Sequence, residues 1–326
     1  MWSTTKALAA GMAAATLLVA GAGSALAAIE CDTIRMIVPW KAGGGTDRIG
    51  RGLAVALEKQ SGKSVIVDNI SGASSATGSI KAMKAKPNGC TVLMNGSTEM
   101  IAFMTFKRNL PFKLSQMKFI GAFFNTPTWM LSNRKRGYAS FKDFLAKAKA
   151  NPGKLTIGTG GAAGAHMIMA AAIEGLAGID VRIVPYSGGA DLKKAILANQ
   201  VDTGVIHSPV LLKEVRAGLV DVLATGAPLD KIEFAPVRNT PTLTSMNMPI
   251  SVAAVRGMFV PKATPDAVVG QLTAWLEGST RDSDFIAFGK KFGFPPVWIP
   301  GAQFEKDMRR DIAAFREIYD KYIKAK

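Results

Sequence analysis

The stretch that decides the fold runs from Ile34 to Asp47 and reads IRMIVPWKAGGGTD. Its first part, Ile34 to Pro39, is a short apolar run that predicts a buried strand, and Gly43 to Gly45 predict a tight turn. A helical pattern follows from about Thr46 to Gln60, with apolar residues on one face. A strand that passes through a Gly-rich turn into a helix is the repeating unit of a parallel α/β sheet.

The same unit recurs along the chain. Strands are predicted at Ser64 to Asp68 and Thr91 to Met94, with a helix near Gly78 to Ala85 between them. A third region, entered at Thr264-Pro265-Asp266, is helical to about Ile323. Between these regions the pattern predicts a second α/β group: helices at Ser140 to Ala150, His166 to Ala177 and Gly189 to Asn199, and strands at Lys154 to Gly158, at Val181 to Pro185, and near Val205 and Val220.

Two such α/β groups leave a cleft between them. We expect them to be joined through irregular stretches near Ala122 to Thr128 and Ser251 to Thr264. Ligands of α/β folds bind at the carboxyl ends of strands, where Gly-rich turns expose amides and helices begin. Both of the most Gly-rich turns in this chain fall at such places.

The N-terminus has the form of a secretory signal peptide. One basic residue precedes the apolar small-residue run Ala7 to Ala22, and Ala25-Leu26-Ala27 has the small-x-small form of a cleavage site. The run is shorter than the roughly 20 residues that a membrane span needs. We therefore expect residues 1–27 to be removed and the mature protein to be periplasmic. Of the 326 residues, 48% are hydrophobic and 20% charged, which is enough to form a folded core.

The formal net charge of +16 could attract nucleic acid, anionic lipid or small anions. Export argues against nucleic acid, and the short basic clusters lack the aromatic residues of a base-stacking surface. The basic clusters are interpreted as solvated faces. The positive electrostatic field of the whole protein can also steer small carboxylates towards a cleft.

The two cysteines, Cys31 and Cys90, precede the first and third predicted strands. In an oxidising compartment they predict a disulfide if these strands are parallel neighbours, and two buried free thiols otherwise.

The sequence contains few motifs suited to catalysis. Two His and two Cys far apart in sequence form no metal-ligand motif, and no phosphate-binding loop of the G-x-x-x-x-G-K-[ST] type is present. Gly72 to Ala76 only half resembles a nucleophile elbow and is interpreted as a loop. No catalytic residue, metal or cofactor is predicted.

One motif points to an enzyme. Gly158 to Ala163 matches G-x-G-x-x-A after a strand and before a helix, which is the turn of a dinucleotide-binding fold. That fold needs an acidic residue at the end of the next strand, whereas this strand ends in Tyr186-Ser187. An exported Rossmann-type oxidoreductase that uses NAD remains the alternative from another functional class.

The two loops supply amides at helix N-termini, which hold anions. Charge-assisted hydrogen bonds of about 1.5–3 kcal/mol each would reach micromolar affinity with only a few contacts. Asp47 either complements its own helix dipole, orients the loop amides and waters, or pairs with a ligand ammonium or hydroxyl. His166 is expected to be neutral. Trp40 and Tyr186 are either core or pocket wall. The amide sets are Gly43, Gly44, Gly45 and Thr46, and Thr159 to Ala163.

At these residues the sequence resembles the Bug or TctC-like receptors of tripartite tricarboxylate transporters. The resembling segments, in order, are Ile37 to Asp47 with Arg51, Val67 to Asn69 with Gly72-Ala73, Pro87 to Thr91, Gly158 to His166, Val184 to Gly188 with Asp191, and Asn239 to Thr242. Two departures stand out. Cys90 replaces an expected Tyr, and Thr244 to Asn247 lacks the usual Glu and Gly.

The resemblance implies a two-lobe, venus-flytrap α/β fold, each lobe a mainly parallel sheet flanked by helices. It implies lobes of residues 28–125 plus 255–326 and of 126–254, no catalytic activity, and a receptor that carries a small organic carboxylate (a dicarboxylate, a tricarboxylate or an aromatic acid) to membrane permease subunits. A monomer is expected as the default for a diffusing receptor. A receptor that presents its ligand to a sensor kinase is a further alternative. The expected ligand-binding residues are Trp40, Lys41, Gly43, Gly44, Gly45, Thr46, Asp47, Ser97, Thr159, Gly160, Gly161, Ala162, Ala163, His166, Tyr186, Ser187 and Gly188; Lys41 either pairs with a carboxylate or is solvated.

Overall fold

The computed structural model describes residues 29–106, 113–161, 164–207, 210–227, 237, 239–291 and 296–324. The expected signal peptide, residues 1–27, lies outside this part of the chain. So do Ala162 and Ala163 of the second Gly-rich loop.

The first part of the chain builds three strand-turn-helix units, as the sequence predicts. They are β1 (Thr33–Val38) with α1 (Gly45–Ser61), β2 (Ser64–Asn69) with α2 (Ala76–Met83), and β3 (Thr91–Gly96) with α3 (Ser97–Phe106). Helix α1 ends at Gly62, whose φ of +67° is the left-handed conformation that commonly stops a helix. Strands β2 and β3 pair with β1 in parallel, so the three turns lie at one edge of the sheet.

The predicted disulfide is confirmed. Cys31 and Cys90 are bonded, with their Cα atoms 6.0 Å apart. The residues directly precede β1 and β3, and because these strands are parallel neighbours, their starts meet at the same edge. This edge is opposite the one that carries the Gly-rich turn.

The middle of the chain builds the second group of units. After β4 (Met117–Asn133), its elements are α4 (Phe141–Ala150), β5 (Thr156–Thr159), α5 (Ala165–Ala177), β6 (Arg182–Pro185), α6 (Gly189–Leu197), β7 (Thr203–His207), α7 (Leu212–Arg216) and β8 (Val220–Thr225). Strand β5 pairs in parallel with both β6 and β7. The turns after β5, β6 and β7 therefore also share one edge.

Two long strands join the two groups, and the expectation of irregular connections here is wrong. Residues 122–128 lie inside β4, and residues 253–261 form β9 (Ala253–Pro261). The first part of β4 pairs antiparallel with β9, from Met117 to Pro127, and its remainder pairs with β7 and β8. The alternating strand pattern of β4 is interrupted in the sequence by Gly121, Asn125 and Pro127. The strand nevertheless forms in the fold, because neighbouring strands pair with it along its length.

The remaining elements return to the first group. They are α8 (Asp266–Thr280), α9 (Ser283–Lys291), β10 (Ile299–Pro300) and α10 (Gly301–Ile318), followed by a π-helical turn at Tyr319–Ile323. The strand order β2-β1-β3-β9-β4-β7-β5-β6, with β8 and β10 also on β4, is a mixed sheet. The α/β class is confirmed, and the antiparallel pairs all involve β4 or β9.

The helices cover both faces of this sheet. On one face, α1, α8 and α9 bury Leu53, Leu57, Leu272 and Phe285 against β1 and β3. On the other, α3, α5 and α10 bury a second core that includes Ile101, Ile168 and Phe304. A smaller core of α6 and α7 packs on the second group of strands. The sheet is thus fixed from both sides, and the Gly-rich turn after β1 is left exposed from Lys41 to Gly45.

Candidate functional site

The first Gly-rich loop, residues 40–47, connects β1 to α1. It is exposed from Lys41 to Gly45, and Gly43 has a φ of +79°, which favours glycine. The first intrahelical bond runs from the Arg48 N–H to the Gly44 carbonyl at 3.0 Å. The N–H groups of Gly45 and Thr46 come before it and have no acceptor within the helix. This helix end is therefore suited to an anion.

Asp47 fastens this loop from inside the first turn of α1. The Gly43 N–H donates to Asp47 Oδ2 at 2.8 Å, and Arg51 Nε donates to the same oxygen at 3.1 Å. Burial of the carboxyl raises its pKa, but the hydrogen bonds from Arg51, Gly43 and Asn69 outweigh burial and lower the pKa below its ordinary value. An ionised Asp47 thus orients the loop, and the Gly43 N–H is used within it.

A polar network connects the same loop to the ends of β2 and β3. Trp40 Nε1 donates to Asn95 Oδ1 at 3.1 Å, and Asn69 Nδ2 donates to the Trp40 carbonyl at 3.0 Å. Asn95 Nδ2 in turn donates to Ser75 Oγ and Ser79 Oγ at 3.1 and 3.2 Å. Trp40 therefore supports the loop through its indole N–H. Asn69 and Asn95 were not predicted as site residues, although both are amides at or near strand ends.

The second Gly-rich loop, residues 159–166, connects β5 to α5. Thr159 is buried; its carbonyl accepts from the Tyr186 N–H at 2.9 Å and its hydroxyl donates to the Gly161 carbonyl at 2.8 Å. Gly161 and Gly164 have φ values of +152° and +121°, where a side chain would be strained. The loop is held by neutral hydrogen bonds and directs the start of α5 to the carboxyl edge of β5.

His166 lies in the first turn of α5. Its ring centroid is 4.3 Å from that of His207, whose Nδ1 is 3.1 Å from Thr128 Oγ1. Burial lowers the pKa of His166 to about 4, against smaller opposing effects of Glu99 and of a backbone hydrogen bond with Gly160. Burial also lowers the pKa of His207 well below its ordinary value. Both rings are neutral at neutral pH, which agrees with the expectation for His166.

The turn between β6 and α6 adds the third predicted segment. Tyr186 is half-buried and packs against the core of α6, and a Cβ on Gly158 would lie 3.4 Å from its ring. Ser187 Oγ donates to Asp191 in the first turn of α6, and Gly188 directly precedes that helix. The segment therefore lies beside the second Gly-rich loop, with Tyr186 as a packed wall.

An ion pair between buried Arg256 and partly buried Glu99 lies where α3 meets β9, and the sequence did not predict it. Glu99, two residues after buried Ser97, accepts from Arg256 Nη1 at 3.2 Å, and its other oxygen is 3.1 Å from Arg256 Nη2. Arg256 stands opposite Gly96 of β3 and Phe124 of β4. No motif marks either residue, because they are 157 positions apart and meet only through the pairing of β3 with β9.

The second Gly-rich loop lies next to β4, one of the strands that join the two groups, because His166 packs on His207 and His207 Nδ1 is 3.1 Å from Thr128 Oγ1 of β4. Lys41 remains exposed, at the rim of the first loop.

Other features of the molecule lie apart from these loops. A hollow of about 800 Å³, the outer groove, is lined by residues from three segments, 138–142, 221–223 and 239–246, and by none of the predicted ligand-binding residues. Among the described residues, no group of three His, Cys, Asp or Glu side chains is placed to hold a metal ion. Within the same part of the chain, no helix has both the length and the apolar character of a membrane span.

Residues 49–321 match the model of TctC, the tripartite tricarboxylate transporter family receptor. The chain belongs to this family. Its members are periplasmic solute-binding receptors and not enzymes, so the resemblance to the Bug and TctC-like receptors is confirmed at the level of the family.

Relatives and solved structures agree with this assignment. The chain is 28% identical to a UPF0065 protein of Bordetella pertussis, over 90% of each chain, and 25% identical to protein BugT of the same organism, over 87% of this chain and 89% of BugT. A TctC solute-binding protein from Polaromonas superposes with a TM-score of 0.79 at 25% identity, covering 89% of this chain and 98% of that one. The fold is therefore the two-lobe periplasmic-binding-protein fold.

Two more distant structures share the fold with a ligand bound. MatC of Rhodopseudomonas palustris, with bound malate, has a TM-score of 0.71 at 19% identity, covering 88% of this chain and 98% of that one. An R. palustris protein with adipate has a TM-score of 0.72 at 18% identity, covering 88% of this chain and 96% of that one.

Proposed function

We propose that this protein captures a small carboxylate-bearing solute between its two lobes and delivers it to the permease subunits of a tripartite transporter. The observation that carries the proposal is the pair of Gly-rich loops. Each connects the carboxyl end of a parallel strand to a helix N-terminus, the position where amides bind anions. The lobes would be residues 28–125 plus 255–326 and residues 126–254.

The way the loops are fastened supports this assignment. In the first loop, Asp47 is itself neutralised by Arg51 and holds Gly43, which leaves the Gly45 and Thr46 amides for a ligand. In the second, neutral hydrogen bonds hold Thr159 and His166 carries no charge that would compete with the ligand. An anion with two ends would use both amide sets, and only closed lobes would satisfy it.

The ligands of the distant relatives are consistent with this class. Malate and adipate are both dicarboxylates, and the proteins that bind them share this fold. Residues 1–27 would serve as a cleaved signal peptide, which would place the receptor in the periplasm. Removing them with Lys6 lowers the formal net charge from +16 to +15, and this positive charge would favour encounter with anions.

The test is thermal melting of residues 28–326 with mono-, di- and tricarboxylates, aromatic acids, amino acids and NAD. A ligand at 100 times its Kd stabilises the protein by about 2.7 kcal/mol, which raises Tm by several degrees. A rise confined to carboxylates is expected. A rise with NAD alone would instead favour the oxidoreductase. Delivery to a permease is tested separately, by loss of carboxylate uptake when the receptor gene is deleted.

A further inference from the structure

A second hollow lies on the first group of units, between α2 and the strands β1 and β3. Its volume is about 500 Å³. Arg35, Lys81 and Lys84 line it with positive charge. Ile37 and Ile80 line it with apolar surface. None of the predicted ligand-binding residues lines this basic hollow, so it is separate from the Gly-rich loops.

The basic hollow is open because α2 is shorter than the strands beneath it. The eight residues of α2 form a helix about 12 Å long, whereas the six residues of β1 extend for about 20 Å. Arg35, in the first half of β1, stands level with Ile66 of β2 and Thr91 of β3. The side chain of Arg35 is 58% exposed and Ile66 is 57% exposed, so α2 does not cover this end of the strands.

Positive charge is unbalanced at this surface. Residues 69–98 include three lysines and no Asp or Glu, so α2 contains no acid that could pair with Lys81 or Lys84 within the helix. Neither lysine forms an ion pair with any described residue. Arg35 Nε is 3.7 Å from Asp68 Oδ2, which is beyond hydrogen-bond distance. Three cations at the hollow therefore face one loosely paired acid.

The adjoining edge of the sheet is partly closed. Strand β2 is the terminal strand and pairs only with β1 among the described strands. The Val65 N–H of β2 donates to Glu58 Oε1 at 2.9 Å, so this part of the outer edge already has an acceptor. An edge protected in this way discourages the addition of another strand. A partner is therefore expected to enter the basic hollow with its side chains rather than to extend the sheet.

The lining of the hollow favours a protein segment as its occupant. Carboxylates of such a segment can pair with Lys81 and Lys84, while its apolar side chains cover Ile66 and Ile80. A flat membrane surface would meet the lysines but would not enter a hollow. A small free anion would be held only by exposed lysine side chains, which lose conformational entropy when they are fixed.

We propose that an acidic segment of the membrane permease docks in the basic hollow when the receptor delivers its ligand. This inference rests on the proposed function and specifies the surface used for delivery. Charge complementarity of this kind mainly raises the rate of encounter and selects the partner. Because no predicted ligand-binding residue lines the hollow, a change of its charge should affect delivery and leave the affinity for the carboxylate unchanged.

The experiment compares uptake with binding for a variant that combines Lys81→Glu and Lys84→Glu. Cells that lack the receptor gene are complemented with the full chain, and the initial uptake of labelled malate, adipate and citrate is measured. For the acid that the wild type binds, the variant should lower the uptake rate by about tenfold. Titration calorimetry of residues 28–326 should give a Kd within about twofold of the wild-type value, because exposed charges outside the cleft are screened by salt.

A matched control combines Lys290→Glu and Lys291→Glu. These substitutions reverse the charge of two exposed lysines at the end of α9, on the opposite face of the sheet. Uptake by the control should stay within about twofold of the wild-type rate. Circular dichroism melts establish that each variant is folded.

The outcomes separate this inference from the proposed function. Wild-type uptake by the Lys81 and Lys84 variant, or an equal loss in the control, would overturn the inference and leave the proposed function intact. So would binding to phosphatidylglycerol vesicles that the wild type shows and this variant loses, because the occupant would then be a membrane surface. Binding of none of the three acids, or binding without uptake in the wild type, would overturn both.

Discussion

The two Gly-rich loops occupy equivalent positions and are held by opposite chemistry. In the first, an ionised Asp47 bonds to Gly43 and Arg51, and asparagines connect the loop to neighbouring strands. In the second, a buried threonine and a neutral histidine hold the glycines. The first group of strands also carries the disulfide.

This difference shows that a loop can be prepared for an anion in two ways. One is to neutralise a nearby carboxylate with an arginine. The other is to exclude charge, so that the amides face no competitor. The two loops should therefore respond differently to reduction, acid and substitution, and each prediction below separates them.

The largest expected effect is a loss of stability in the first lobe alone. Replacing both Cys31 and Cys90 by Ser reopens a loop of 59 residues, which on the chain-entropy account costs about 4 kcal/mol of the free energy of unfolding. Urea denaturation of the variant and of the wild type measures this difference. The reduced wild type is the matched control and should melt with the variant. An unchanged free energy would show that the bridge does not stabilise this lobe.

Acid should affect the second loop first. The imidazole of His166 protonates near its ordinary pKa of 6.5 in the unfolded chain but near 4 in the folded one, so the unfolded state binds more protons between these values. Stability should therefore fall by about 3 kcal/mol from this residue as the pH drops from 6.5 to 4. The pKa of Asp47 is lowered, so its contribution should be lost only below about pH 4.

Urea denaturation of His166→Gln across this pH range isolates the contribution of the histidine. The variant should lose less stability than the wild type between pH 6.5 and 4. Identical slopes for the two proteins would contradict a buried neutral ring at this position.

Asp47→Asn should weaken the first loop. The substitution removes the charge that Arg51 and the Gly43 N–H share, with an expected loss of about 1–3 kcal/mol in stability and a weaker carboxylate affinity. The control is Asp143→Asn, which alters a half-buried acid in the first turn of α4, also paired with a residue four positions on. Titration calorimetry should show reduced affinity for the Asp47 variant only. Equal affinities would argue for a helix-dipole role.

The smallest effect is expected from Gly160→Ala. The new Cβ would lie 2.9 Å from His166 Nδ1, so the ring must shift, at a cost of about 1 kcal/mol. Gly270→Ala is the control, because a Cβ at this helical position meets nothing within 4 Å and should stabilise by up to about 1 kcal/mol. A change of Tm in the same direction for both variants would contradict the close contact between Gly160 and the His166 ring.

Local signals account for what could be predicted from sequence. Strand, glycine turn and helix start are adjacent in the chain, so residues 34–47 already indicate the first loop, and the disulfide follows from which strands are neighbours. The strands β4 and β9 could not be predicted in this way, because glycine, asparagine and proline interrupt their patterns and their pairing is long-range. Arg256 and Glu99 were missed for the same reason: an ion pair between positions 157 residues apart has no local signature.

The most direct test is a crystal structure of residues 28–326 with the carboxylate that raises Tm most. We predict one carboxylate end at the amides of Gly45 and Thr46, and the rest of the ligand against the second Gly-rich loop, with residues of both lobes in contact. A ligand seated in the outer groove, or on one loop with the other free, would contradict the account.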